Sequence, residues 1–375
     1  SGVRIMAYTT IDDPSEYFDV TLWTGTGGAR TISGLNHKPD LIWTKTRSVA
    51  YNHMWSDSSR GFNANSELGS NSTAAEGGLS ADVYGYKSGH TSDGWTMVDG
   101  TDSVDSQEDG NTNQPSVTYV GWTWAANGGS TTSVNASGTV LAGTHQANTT
   151  AGFSIVTYTG EDDTVNTVTH GLGAVPAWII VKGRSGSGRH WRVYHHKNTS
   201  APETDYLRLN ETGATADDVN YWYDTAPTSS VFSISTANDV NANTETYVAY
   251  CWAEIQGYSK FGSYTGNGDG SGPFVYTGFR PAWIMTKRTD SSTNGDWAIY
   301  DYKRSATGGG NANNKFLRSN SSAVEASATA IDILSNGFRI RSTSSRHNAN
   351  NSSYIYMAFA RHPFVSSKGV PTTAV

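Results

Sequence analysis

Apolar and polar residues along this chain alternate with a period of two more often than with the period of a helix. In residues 119–125, Val120, Trp122 and Trp124 share one face, and Tyr119, Gly121, Thr123 and Ala125 share the other. The division recurs at 247–253 and 354–360. There the bulky faces are Val248, Tyr250, Trp252 and Ile355, Met357, Phe359. The opposite faces are Tyr247, Ala249, Cys251, Ala253 and Tyr354, Tyr356, Ala358, Ala360. Such a pattern predicts a central strand, its bulky side in a core and its small side under a close neighbour. A second strand is predicted after Pro39, Pro176 and Pro281. In the middle copy, Trp178, Ile180 and Lys182 share one face, and Ala177, Ile179 and Val181 the other. Proline is tolerated at the start because no ladder donor is lost inside the strand.

These strands belong to a longer internal repeat, which precedes any motif search. An aromatic-Thr-Gly turn at Trp23, Tyr158 and Tyr264 opens each copy. The proline-led strand follows and ends on Lys45, Lys182 or Lys287. Next comes Leu-x-x-Asn at Leu68/Asn71, Leu207/Asn210 and Leu317/Asn320, and then the closing aromatic strand. Four landmarks in one order, three times over, predict an all-β fold of three tandem antiparallel β-sandwich domains. The expected bounds are 1–127, 152–257 and 258–364. A Gly/Ser/Thr/Asn-rich linker is expected at 128–151 and a tail at 365–375. Within the linker, the apolar piece 139–142 offers an edge strand. The intervals between landmarks vary from copy to copy, so the extra length belongs in loops. The loops at 99–113, 184–191, 289–297 and 306–314 are the expected exposed tips, where recognition is usually placed.

Composition narrows the picture further. Charged residues are only 16% of the 375, Gly contributes 40, and Trp (12) outnumbers Leu. Helices and coiled coils are disfavoured by that mixture, while 20 Tyr and 11 Phe supply cores and argue against disorder. No apolar run approaches the ~20 residues of a membrane span. The first thirty residues lack the basic start and apolar core of a secretory signal. Net charge of −7 without a Lys/Arg cluster argues against nucleic-acid binding. The single Cys251 lies in an apolar run and is read as a buried thiol.

Candidate chemistry is sparse. No nucleophile elbow, H-E-x-x-H or P-loop occurs, and one cysteine cannot build a Cys-rich zinc site. The glycine-rich stretch 266–272 leads into a strand-like Phe274-Val275-Tyr276, so a hairpin loop is expected rather than a phosphate cradle. His190, His195 and His196 could suggest a metal, but adjacent residues on a strand face opposite ways. Asp99, Asp102, Asp105, Glu108 and Asp109 form an acidic run found only in the first copy. Its spacing is not that of an EF-hand loop, and a solvated loop is expected. No cofactor and no metal site is expected, and no carboxylate recurs in all three copies, which disfavours a repeat-encoded catalytic pair. Lys45, Lys182 and Lys287 are the only charged residues at one repeat position throughout. They are read either as strand-end lysines snorkelling from the core or pairing with a carboxylate, or as ligand-facing cations beside aromatic platforms. Trp95, Trp191, Trp222 and Trp297 lie outside the clearest core strands, and Trp95, Trp191 and Trp297 are the candidate sugar-stacking rings.

The opening Met6-Ala-Tyr-Thr-Thr-Ile-Asp-Asp-Pro-Ser-Glu-Tyr-Phe resembles the start of a set of uncharacterised proteins of marine tailed bacteriophages. So do Pro39-Asp-Leu-Ile-Trp-Thr-Lys, Tyr250-Cys-Trp-Ala-Glu-Ile-Gln-Gly-Tyr and Phe279-Arg-Pro-Ala-Trp-Ile. Residues 1–5 precede that likeness. The resemblance implies a virion protein and carries no chemistry with it. The expectation is a non-enzymatic surface protein, a tail-fibre or receptor-binding component contacting host surface polysaccharide. Capsid decoration and glycan-degrading enzyme are the alternatives. Expected partners are other virion proteins and further copies of the chain, with a trimer as one arrangement, because virion axes demand copies.

Overall fold

The computed structural model describes residues 7–101, 110–304 and 311–372. The protein is all-β, with 41% strand, 6% helix and several antiparallel sheets. In the first segment, β1 (Phe18–Thr24), β2 (Arg30–Ile32), β3 (Leu41–Thr46), β4 (Met54–Asp57), β5 (Tyr86–Thr91), β6 (Gly94–Val98) and β7 (Thr118–Trp124) follow in order, with the one-turn α1 (Ala81–Tyr84) before β5. Next come β8 (Thr132–Val134) and β9 (Gly143–Asn148). The second segment holds β10 (Phe153–Thr159), β11 (Asn166–Thr169), β12 (Trp178–Gly183), β13 (Arg192–His195), β14 (Asp205–Arg208), β15 (Ala216–Asp217), β16 (Val231–Ile234) and β17 (Thr246–Trp252). The third holds β18 (Ser259–Thr265), β19 (Phe274–Tyr276), β20 (Phe279–Arg288), β21 (Ala298–Asp301), β22 (Ala312–Arg318), β23 (Ala326–Leu334), β24 (Gly337–Ile340) and β25 (Ser353–Pro363).

The closing strand is central in every segment. The sheet orders are β1-β7-β3-β4, β10-β17-β12-β13 and β18-β25-β20-β21. The second sheet extends at both edges, through β14 and β15 on one side and β9 and β8 on the other. The third continues through β22, β23, β24 and β19 and curls on itself. Small second layers, β2-β6-β5 and β11-β16, cover the first two sheets. The stretch 128–151, expected as a linker, therefore belongs largely to the fold. Its strands are β9 and, at the edge, β8 rather than the piece at 139–142, where Val140 makes only isolated bridges to Ser137 and Thr167.

Both faces of each closing strand are buried, as the alternation predicts. The small faces pack on private clusters. Tyr119 lies with Trp23, Trp95 and Met97, Cys251 and Ala249 with Val168 and Phe232, and Ala358 with Ile331 and Phe338. Small residues are needed there, since a Cβ on Gly121 would lie 3.0 Å from the Trp95 ring. The bulky faces differ from a row of independent sandwiches, because all three enter one shared cluster. Val120, Trp122 and Trp124 meet Val248, Tyr250 and Trp252 and also Ile355, Met357 and Phe359. Trp124 stands at the junction, its ring 6.0 Å from Trp252, 5.9 Å from Trp283 and 5.5 Å from Phe359. The reason is one of area. Large rings hide 150–250 Å² each, and the short second-layer strands cover only the small faces. Cys251 is fully buried in the second private cluster, as expected, and burial pushes its thiol pKa up.

Candidate functional site

The three lysines end the proline-led strands inside the protein, at 0–1% exposure. Each ammonium is capped by backbone carbonyls. Lys182 Nζ donates to Thr73 O (3.1 Å) and Arg189 O (2.6 Å), and Lys287 Nζ to Thr212 O (3.2 Å) and Arg288 O (2.6 Å). Lys45 Nζ donates to Thr46 O (2.8 Å) and Thr46 Oγ1 (3.0 Å). Burial lowers all three pKa values to about 7. Lys182 and Lys287 do sit beside aromatics, 6.0 Å from Trp191 and 5.9 Å from Trp297. Those rings have no open face. Trp191, Trp297 and Trp95 are all 0% exposed.

What these residues do is join segments. Trp191 Nε1 donates to Gly69 O (2.8 Å), Trp297 Nε1 to Arg208 O (2.8 Å) and His53 Nε2 to Arg318 O (2.8 Å). In each case the segment's own landmark asparagine accepts the backbone N–H of the joining residue: Asn71 for His53, Asn210 for Trp191 and Asn320 for Trp297, at 2.9–3.0 Å. Trp95 instead packs edge-on to Trp23 at 5.7 Å in the first private cluster. Trp222 is buried too and donates to Asp205 O (3.0 Å). The six positions marked for binding are thus filled by packing and carbonyl capping.

The seams also hold the buried charges. Arg60 pairs with Asp57 (2.5 Å) and Glu76 (2.9 Å), and Glu76 reaches Arg184 (2.8 Å) across the seam between the first and second segments. Arg304 pairs with Asp301, while Glu325 meets Arg304 (3.3 Å) and Arg47 (2.9 Å) across the seam between the third and first. Tyr250 Oη donates to Asp57 (2.7 Å) and Trp122 Nε1 to Asp301 (3.0 Å). Where the second segment meets the third, the corresponding residue is His195, which bonds Tyr356 O at 3.2 Å. Burial lowers its pKa to about 3, so it stays neutral. His196 bonds Phe261 O at 2.7 Å. These imidazoles serve the seam, and no metal-holding group of three occurs among the described residues. Of the acidic run only Asp99 is described; Asp102, Asp105, Glu108 and Asp109 lie outside the described residues. The loop 266–272 leads into β19, a strand, as expected.

Among the cavities of the described residues, three lie along the seams. A groove of about 600 Å³ between the second and third segments is lined by Ala177, His196, Glu254, Lys260 and Tyr356, with Lys260 paired to Glu254 at 2.5 Å. A groove of about 330 Å³ between the third and first is lined by Asp19, Ala282, Tyr302, Arg361 and His362. At the corresponding place between the first and second, Gln146 of β9 fills the space. Its Nε2 donates to Ser58 Oγ (2.7 Å) and Ser59 Oγ (2.6 Å), and its Oε1 accepts from Gly129 N (3.1 Å).

The third cavity, about 210 Å³, differs in chemistry. Tyr51, Asn52, Leu79, Tyr84, Asn111 and Ser322 line it, and no charged residue does so among the described residues. Tyr51 and Asn52 come from the β3–β4 loop, Tyr84 from the end of α1, and Ser322 from the third segment. Burial and the neighbouring Tyr84 raise the Tyr51 pKa, so its phenol is neutral near pH 7. Asn71 Nδ2 donates to Asn52 Oδ1 (2.8 Å), and Asn111 N donates to Tyr84 O (3.0 Å). Such a lining can stack on an apolar face and hydrogen-bond hydroxyls. Its described residues include no carboxylate, imidazole or amine, and so no acid, base or strong nucleophile. Sequence reasoning placed Asn111 in a tip loop but missed Tyr51, Asn52 and Tyr84. The signal was there in a comparison of copies, since the places of Tyr51 and Asn52 are taken elsewhere by Arg189 and His190, or by Gly295 and Asp296.

A protein family described as Domain of unknown function (DUF7483) matches residues 13–363. The chain belongs to this family. The match takes in all three segments together with β8 and β9, so the whole assembly of seams and pockets lies within the family's span. No curated protein and no solved structure matches the chain. Membership fixes no activity, and function has to be argued from the geometry above.

Proposed function

We propose that this DUF7483 chain consists of three copies of one antiparallel β-sandwich unit, at 1–127, 152–257 and 258–364, set around a pseudo-threefold axis through the shared aromatic core. The support is a ring of equivalent backbone bonds. Glu76 N donates to Arg184 O (2.9 Å), Thr215 N to Thr289 O (2.8 Å) and Glu325 N to Arg47 O (2.8 Å). These run from first to second, second to third and third to first.

On this scaffold we infer a non-catalytic virion surface protein, a tail-fibre or receptor-binding component contacting host surface glycan. The observation that carries binding over catalysis is the uncharged Tyr/Asn pocket. A glycan-degrading enzyme would need two carboxylates facing across the bound sugar, and that pocket offers none among the described residues. The ring architecture favours one second reading, capsid decoration. One chain already supplies the three units that a particle's threefold position accepts, so a homotrimer is not required. Antibody-labelled electron microscopy of purified phage particles tests the proposal. Label on tails supports the receptor reading and label on heads supports decoration. Absence from purified particles defeats both.

A further inference from the structure

One location in the three units is occupied by a polar pair in two of them. In the second segment, Asp239 Oδ1 accepts from His190 N (2.9 Å), and Asp239 also pairs with Arg192. In the third, Arg346 and Asp296 form an ion pair at 2.9 Å. The corresponding residues of the first segment are Asn111, eight before the closing tyrosine, and Asn52, one before the residue whose N–H the landmark asparagine accepts. Both are neutral amides, and the 210 Å³ pocket lies between them. A further charge is missing there. Arg189, paired with Glu245 at 2.5 Å in the second segment, is replaced by Tyr51 in the first. Tyr84 and Leu79 come from the longer β4–β5 connection of the first segment.

We propose that this pocket binds one uncharged saccharide ring, making the first unit the specialised member of three. The proposal rests on the glycan-contact reading above and deepens it. Among the described residues a charged ligand would find no counter-charge in the lining, and burying an unpaired charge is costly. The volume is below the ~300–1,000 Å³ of drug-sized pockets, which suits a single ring. Tyr51 and Tyr84 supply aromatic surface for its C–H face. Asn52 spends its carbonyl on Asn71 and keeps its NH2 as a donor, while Asn111 turns its NH2 to Gly85 O (3.4 Å) and keeps its carbonyl as an acceptor. A sugar hydroxyl both donates and accepts, so the two amides can serve neighbouring hydroxyls.

The full chain is applied to an array of neutral and acidic saccharides that includes the host's surface polysaccharide, and the strongest binder is titrated calorimetrically. Two variants follow. Asn52→Asp combined with Asn111→Arg imports the pair of the third segment. The change suits the backbone, because Asn320 Nδ2 already donates to Asp296 at 3.0 Å just as Asn71 donates to Asn52. Tyr84→Ala removes a half-buried ring. Circular dichroism and melting curves report on folding. The expected result is binding of a neutral saccharide that both variants weaken at least ~10-fold, about 1.4 kcal/mol, with the fold intact. Undiminished binding in both variants overturns this site and leaves the glycan-contact reading standing. Binding of acidic saccharides alone overturns the proposed ligand class. No binding to any saccharide defeats both.

Discussion

The three buried lysines make stability depend on pH in a definite direction. Burial lowers each folded-state pKa from 10.5 to about 7. Below about pH 7 both folded and unfolded states carry the proton, so the cost of a buried charge is present in full. Between about 7 and 10.5 the unfolded chain holds more protons than the folded one, so stability rises with pH. Urea midpoints should therefore increase from pH 7 to pH 9, by up to about 1.4 kcal/mol per pH unit for each lysine. Lys182→Met should flatten the slope. A midpoint that falls over this range would contradict the assignment. Other residues of the repeat are structural in the same way. Tyr119, Tyr247 and Tyr354 each accept a backbone N–H five positions upstream through the phenol oxygen, at 2.8–2.9 Å. Asn113, Asn241 and Asn348 each accept the N–H of the residue after the turn glycine, at 2.8–3.2 Å. Periodicity marks the tyrosines but cannot explain them, because the hydroxyl's partner lies in a loop.

Among the elements, β9 has the clearest individual role. It lines the outer edge of β10 from Phe153↔Asn148 to Tyr158↔Gly143 and projects Gln146 into the seam between the first and second segments. Gln146→Ala leaves the hydroxyls of Ser58 and Ser59 and the N–H of Gly129 without this partner. A loss of about 1–3 kcal/mol is expected, together with faster proteolysis within 128–148. Unchanged urea midpoints and cleavage rates would show that β9 does not hold the seam. This element is also where the sequence misleads. Polar composition reads as a linker, yet a strand next to a sheet edge needs few apolar side chains when its neighbours and the seam supply the hydrogen bonds. The closing and proline-led strands were legible because both of their faces are buried and patterned. The pocket was not legible, since Tyr51, Asn52, Tyr84 and Asn111 come from separate loops and meet only in the folded chain. Lys182, Lys287, Trp191 and Trp297 attracted attention because they recur in the sequence, and each bonds a carbonyl across a seam.

At the scale of the whole molecule, the bulky faces of three sheets share one cluster and the small faces keep three private ones. A residue such as Trp124 therefore stabilises three segments at once, and no segment keeps its large aromatic face buried if the others depart. Independent tandem sandwiches would unfold one by one. A shared core makes the chain a single cooperative body despite its 375 residues, a length at which separate domains are the usual outcome. Differential scanning calorimetry of the intact chain tests this most directly. One transition is predicted, with calorimetric and van't Hoff enthalpies in agreement. Two or three resolved transitions, or a calorimetric enthalpy several times the van't Hoff value, would contradict it.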